Sequence, residues 1–402
     1  MAGSGHIRVE RDTAADFWRG VALVTIFVNH LAGNVFENLT HRNFGFSDAA
    51  ELFVLLAGYA AAFAYFSRVR QGCWQDAVDK AIRRAALLYA AHAATFLAGA
   101  AIFAHAVLRT GDGRLFELVA LTPLIVDPAA SLVGAATLRY QPGFLNILPL
   151  YTVLLAAMPL LLLGAARSLA GVVAASCGLY VAANLAGWNL PNHPLSGGWF
   201  FNPLAWQFLF VIGFTVGALR LQGVGIGYSR VLFWAAVAYL AGALVWVRSG
   251  FAPDPDALPL PRFLWDLDKQ NLSLPRLLHV LALAYVVVNL PLHRWVKSLG
   301  NGNPVVLMGR QSLPVFCLGL ILSLWGLTLK VTKEYGVLFD VMFLAVGIAA
   351  QMCLAWFLAR QGTTFPATGT QTAGTQTAGT QTAGTQTAGT RTVRERGSVR
   401  QA

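Results

Sequence analysis

Runs of about 20 mostly apolar residues recur along this 402-residue chain, and that recurrence constrains its fold more than any other feature. Each run can cross the roughly 30 Å hydrocarbon core as a helix, because in lipid only a helix satisfies its own backbone hydrogen bonds without a closed barrel. Ten such runs are readable, at 17–36, 48–67, 84–105, 145–164, 168–187, 204–221, 229–248, 275–292, 311–330 and 336–358. Pro149, Pro159 and Pro314 interrupt the fourth and ninth. Composition agrees, with 56% of residues hydrophobic and only 12% charged. The expectation is an all-α integral membrane protein of about ten transmembrane helices in a lipid bilayer.

Charge orients the bundle. With the N-terminus in the cytoplasm, fifteen Lys and Arg fall at inner positions against ten at outer ones, the tail beyond Gln361 excluded, and the group from Arg68 to Arg84 dominates locally. The positive-inside bias therefore favours an N-in/C-in arrangement. The net charge of +11 then reads as a topology and inner-leaflet signal, and with no nucleic-acid module beside it no nucleic-acid partner is expected. The first run carries charges, lacks a small-residue cleavage site and precedes nine others, so it is expected to stay uncleaved. Cys73, Cys177, Cys317 and Cys353 are scattered without metal-ligand spacing, so neither a disulfide framework nor a metal site is expected.

Three polar connections, 106–144, 188–203 and 249–274, break the pattern on the outer face, whereas the inner connections are mostly short. A membrane protein acting on an extracytoplasmic substrate would concentrate its elaborated loops there. Leu118 to Val126 is apolar but too short to span, which suits an interfacial or re-entrant segment. The 188–203 loop mixes turn residues with aromatics fit for the membrane boundary or for stacking on sugar rings. Residues 1–361 read as the membrane domain. Residues 362–402 read as a disordered low-complexity tail, in which Gly-Thr-Gln-Thr-Ala repeats four times from Gly369 to Ala388.

The polar residues inside the first two runs carry the functional signal. Arg19 and His30 are eleven positions apart, which on a helix is roughly 20° past three full turns, so they share one face about 16 Å apart. Asp16 and Asn34 fall on that face too. Ionisable groups in a spanning helix are costly and usually face a bundle interior or a wet cavity. The second run opens with Ser47 placed to cap the helix and Asp48 in its first turn, followed by Glu51 on the same face as Asp48. A carboxylate beside His30 would orient the ring and raise its basicity, as deprotonating a hydroxyl requires. Plainer readings stand beside these: a buried structural histidine at His30, a capping-box carboxylate at Glu51, and a snorkelling boundary residue at Arg19. Lys80, Arg83 and Arg84 lie within a turn and a half at the inner end of the third run; topology accounts for them, and so does a docking patch for a polyanionic cytoplasmic donor beside Arg19. His92 and His279 lie deeper and read as structural.

Asp16-Phe-Trp-Arg-Gly20, His30, Asn43-Phe-Gly-Phe-Ser-Asp-Ala-Ala-Glu51, Gly58-Tyr59, Leu148-Pro-Leu-Tyr151 and Asn202-Pro-Leu-Ala-Trp-Gln207 together resemble the OpgC family of integral inner-membrane proteins, associated with succinylation of osmoregulated periplasmic glucans. The resemblance covers residues 8–360. More distantly, the spacing of Arg19 and His30 resembles the membrane acyltransferase type three superfamily. That likeness implies ten helices, an acyl-CoA donor entering from the cytoplasm, a periplasmic carbohydrate acceptor and a histidine essential to transfer.

On these grounds the chain is expected to be an O-acyltransferase of the bacterial inner membrane. It would move an acyl group, succinyl from succinyl-CoA foremost, to hydroxyls of a periplasmic glucan or related envelope polysaccharide. His30, Glu51 and Asp48 are the expected catalytic residues; Arg19, Arg83 and Arg84 would hold the donor, and Asp16 and Asn34 would touch substrate. No metal and no tightly bound cofactor are expected. A secondary transporter of a small solute and a noncatalytic scaffold for glucan synthesis are the rival classes.

Overall fold

The computed structural model describes residues 12–251, 259–333 and 335–362, and its regular structure there is helical throughout, with no strands. By contacts the chain divides into Met1–Gly369 and Thr370–Ala402. The repeat tail expected to be disordered lies outside the described residues.

The main helices, in chain order, are α1 (Thr13–His30), α2 (Ala49–Arg70), α3 (Trp74–Thr110), α4 (Ile147–Ala156), α5 (Met158–Arg167), α6 (Leu169–Ala186) and α7 (Pro203–Leu221). They continue with α8 (Arg230–Ser249), α9 (Leu274–Asn289), α10 (Pro291–Ser298), α11 (Pro304–Arg310), α12 (Ser312–Thr332) and α13 (Val337–Arg360). Among the described residues seven helices are long and apolar enough to cross a membrane. Two bent pairs raise the number to nine if each is one span: α4 with α5, at 50°, and α9 with α10, at 71°. Pro159 and Pro291, each at the start of the second member, supply the bends. The difference from the ten runs of the sequence pattern is α1, whose Asp16, Arg19, Asn29 and His30 dilute its apolar content.

Helix α1 also ends earlier than its apolar run. Leu31 leaves helical geometry, and the Asn34 amide donates to the carbonyls of Val28 at 2.8 Å and Leu31 at 2.6 Å, closing the helix end, while its oxygen accepts from the N–H of Glu37. Asn34 therefore lies beyond the helix and does not extend the face shared by Arg19 and His30. At the opposite extreme α3 runs to Thr110, so the first outer connection is shorter than 106–144, and Leu118 to Val126 forms parts of two one-turn helices with Ile125 and Val126 exposed.

Close backbone approaches hold the bundle. Helices α2 and α7 cross on Gly58, Gly213 and Gly217: a Cβ on Gly213 would lie 2.1 Å from the Leu55 carbonyl oxygen, and one on Gly58 would lie 2.0 Å from that of Phe210. Small residues serve this purpose where helices pack without a hydrophobic drive from water. Backbone cannot retreat as a side-chain tip can, so Gly213→Ala is expected to cost at least about 1–3 kcal/mol. Thermal unfolding in detergent should fall accordingly, whereas Gly178→Ala, with nothing within 4 Å of the added carbon, should leave it unchanged. Equal melting of the two variants would refute this account of the α2–α7 crossing.

Connections at alternate ends of antiparallel helices gather the segments 31–48, 111–146, 187–202 and 259–273 at one end of the bundle. They lock together there. The N–H of Gln141 donates to Asn192 Oδ1 at 3.1 Å, that of Asn202 to the Gln270 carbonyl at 3.0 Å, and the Arg248 guanidinium lies 5.1 Å from the Phe44 ring centroid.

Candidate functional site

At the loop-bearing end, two carboxylates at the start of α2 meet two cations, Lys269 and Arg276. Asp48 is the N-cap, accepting from the N–H of Ala50 at 2.7 Å, and Glu51 completes a capping box by accepting from the N–H of Asp48 at 3.0 Å. The cap therefore falls to Asp48 and not Ser47, whose hydroxyl bonds His279 Nδ1 at 2.7 Å. Capping is only part of what these carboxylates do. Glu51 is fully buried, and Arg276 in the first turn of α9 meets its Oε1 through Nε at 2.7 Å and Nη2 at 2.5 Å. Asp48 is paired with Lys269 and lies 3.9 Å from Arg276. Buried charges are tolerated only when paired in this way.

His30 ends α1 at this same cluster. Its ring packs edge-on against Phe144 with centroids 5.0 Å apart, and it lies within electrostatic reach of Lys269, Asp48 and Arg42. The expected carboxylate–imidazole hydrogen bond is not formed: the Asp48 oxygens serve Ala50 and Lys269, and those of Glu51 serve Asp48 and Arg276. Asp48 thus acts on His30 through its charge alone.

The loop carrying Lys269 is rigidly built. Trp206, fully buried, donates Nε1 to the carbonyls of both Lys269 and Gln270 at 3.1 Å, and Asp268 accepts from the N–H groups of Gln270 and Asn271 at 2.9 and 3.1 Å. Asp266 accepts from the N–H of Asp268, yet burial prevails and raises its carboxyl above the ordinary value.

Deeper in the bundle a second polar group faces a small cavity of about 80 Å³ between α1, α2, α3, α4, α7 and α12. Arg19 and Arg84 line it with Tyr151, Phe53, Phe316 and Tyr65. Arg19 is buried and donates to the Leu56 carbonyl at 3.2 Å and to Asp16 Oδ1 at 3.4 Å, so it is an interior residue and not a boundary one. Asp16 joins it to Arg310, 3.4 Å away. Arg84 Nη1 and the Tyr151 hydroxyl are buried without a hydrogen-bond partner. Two unsatisfied polar groups on one apolar cavity suit a ligand that brings acceptors.

Of the expected donor-binding residues, the structure brings Arg19 and Arg84 together and leaves Arg83 out. Arg83 is on the exposed face of α3, 3.9 Å from Asp79 one turn away. Asp16 is a buried strut of the Arg19–Arg310 network, and the Asn34 amide is occupied by its own turn. His279 holds Ser47 in place, and both ring nitrogens of His92 are buried without partners beside Phe96. Lys269 and Arg276 escaped the sequence reading, and Tyr151 entered it only within the Leu148–Tyr151 motif, with no role at the site. Arg276 did leave a signal, since a cation in the first turn of a helix opposes the macrodipole and asks for a carboxylate partner.

Fold and site together define a helical polytopic membrane protein whose interior is charged at one end and cationic around a deep cavity, an arrangement in keeping with transfer of a polar group. The family described as OpgC protein matches residues 11–363, and the chain belongs to that family. Membership ties it to succinylation of osmoregulated periplasmic glucans and makes it a transferase of the membrane. No curated protein and no solved structure matches the chain.

Proposed function

We propose that this protein is an O-acyltransferase of the bacterial inner membrane that moves a succinyl group from cytoplasmic succinyl-CoA to a hydroxyl of a periplasmic glucan. In this reading the chain crosses the bilayer ten times, N-in/C-in, with α1 as a full span and each bent pair as one. The observation that supports it best is the juxtaposition along α1. Arg19 faces the cavity with Arg84 and Tyr151, and His30, eleven residues on, stands at the end where the elaborated loops converge. Arg19 and Arg84 hold the donor's anionic and polar groups, and the pantetheine arm carries the thioester towards His30. The acceptor oxygen attacks the thioester carbonyl as His30 takes its proton. The C–O bond forms, the C–S bond breaks, and His30 returns the proton to the departing thiolate.

Mass spectrometry of periplasmic and envelope glycans from cells with and without the protein tests this reading. Succinyl esters present only with the protein support it, and unchanged glycans overturn it. The cavity carries its own expectation. Charge-assisted hydrogen bonds are worth about 1.5–3 kcal/mol, so Arg84→Ala is expected to raise the KM for succinyl-CoA by roughly tenfold or more. Exposed Arg83→Ala should change it less than about twofold. The reverse order would remove the cavity from the donor path.

A further inference from the structure

A succinyl group differs from other short acyl groups in its free carboxylate. When the thioester carbonyl is at His30, that carboxylate must rest on something at the same end of the bundle. A buried carboxylate needs a charged or hydrogen-bonding partner. Among the cations of this end, Arg42 pairs with Glu37 at 2.9 Å with its side chain 39% exposed, where water weakens any further carboxylate contact, and Arg276 is spent on Glu51 and is nearly buried. Lys269 differs from both. Its side chain keeps 28% exposure against 12% for Arg276, and of its three N–H donors only one is needed by Asp48. The ammonium lies 5.7 Å and 5.6 Å from the ring centroids of Phe200 and Phe201, which limit the directions it can take.

The backbone beneath it is fixed more firmly than a clamp between loops requires. Trp206 bonds two successive carbonyls, Asn202 bonds the Gln270 carbonyl, and Asp268 binds two successive N–H groups. Arg276 and Glu51 already fasten this region to α2. Residues 262–273 are in effect a rigid mount that presents one ammonium within electrostatic reach of the imidazole. We propose that Lys269 receives the free carboxylate of the succinyl group and so makes the protein selective for a dicarboxylic acyl donor. Asp48 holds the ammonium in position until the acyl group arrives. The proposal rests on the transfer reading above and adds to it the residue that sets acyl specificity.

The test compares succinyl-CoA with butyryl-CoA, which has a methyl group in place of the carboxylate, on the full-length protein in liposomes with a periplasmic glucan acceptor. The ratio of kcat/KM for succinyl to that for butyryl transfer is expected to fall at least tenfold in Lys269→Met and to recover in Lys269→Arg. An unchanged ratio, even with both rates lowered, would assign Lys269 to structure alone and overturn the proposal while leaving the transfer reading intact. A wild-type protein that transfers neither group overturns the reading itself. A second measurement needs no variant. An amine-reactive acylating reagent should label Lys269 in the wild type, and succinyl-CoA should protect it where butyryl-CoA does not; equal protection by the two donors counts against the proposal.

Discussion

Replacing His30 with Ala is expected to lower succinyl transfer by about 10²–10⁴-fold, the range a positioned general base supplies, while the protein stays folded in the membrane. The stability half of this expectation follows from the packing. His30 is the last residue of α1, it is only partly buried, and its ring meets Phe144 edge-on. The ring makes no hydrogen bond among the described residues, so truncation leaves no buried donor or acceptor behind. The chemical half follows from position: the imidazole ends α1 at the loop-bearing end, within electrostatic reach of the Asp48–Lys269 pair, where it is placed to accept a proton. Rates from succinyl-CoA in liposomes, read beside detergent melting curves, check both halves. Retention of most activity removes His30 from the chemistry, and a melting temperature lowered to the assay temperature would make it a packing residue.

The fold was legible because hydrophobic run length is a direct consequence of bilayer thickness, and nine of the ten runs coincide with helices or bent helix pairs that qualify as spans. The boundaries were less so, for local reasons. Asn34 ends α1 by capturing carbonyls of its own chain, a side-chain choice that an apolar run conceals. Helices α3 and α10 extend past their runs because polar residues at helix ends cost little near water.

The site divides along the same line. Residues within one helix could be paired by period, which is why Arg19 and His30, or Asp48 and Glu51, were found together. Periodicity carries no information about which helix faces which, so Lys269 and Arg276, over 220 positions from their carboxylates, were invisible as partners. The separation of Arg84 from Arg83 has the same origin: adjacent residues on a helix point about 100° apart, and only the packing of α3 decides which of them meets the cavity.

Glu51→Leu is expected to destabilise the protein by about 3–5 kcal/mol, the cost of stranding one member of a buried ion pair. Glu51 is fully buried and takes two contacts from Arg276, whose side chain keeps only 12% exposure. Without Glu51, Arg276 has Asp48 at 3.9 Å, a carboxylate already claimed by Lys269. The capping-box bond to the N–H of Asp48 goes as well, at roughly 0.5–2 kcal/mol. The informative variant is the double one. Glu51→Leu with Arg276→Met removes both charges and fills the space with apolar groups, a replacement that is often neutral or stabilising. Melting of the double variant should therefore return most of the way to wild type, leaving a deficit of the size of the lost cap. Additive losses in the two single variants and the double would mean that the pair is not coupled and that Glu51 is held by something else. Transfer activity in the recovered double variant then separates two roles. If Glu51 and Arg276 only fasten residues 262–276 to α2, activity returns with stability. If their charges shape the field in which Asp48 and Lys269 sit beside His30, a stable double variant remains slow.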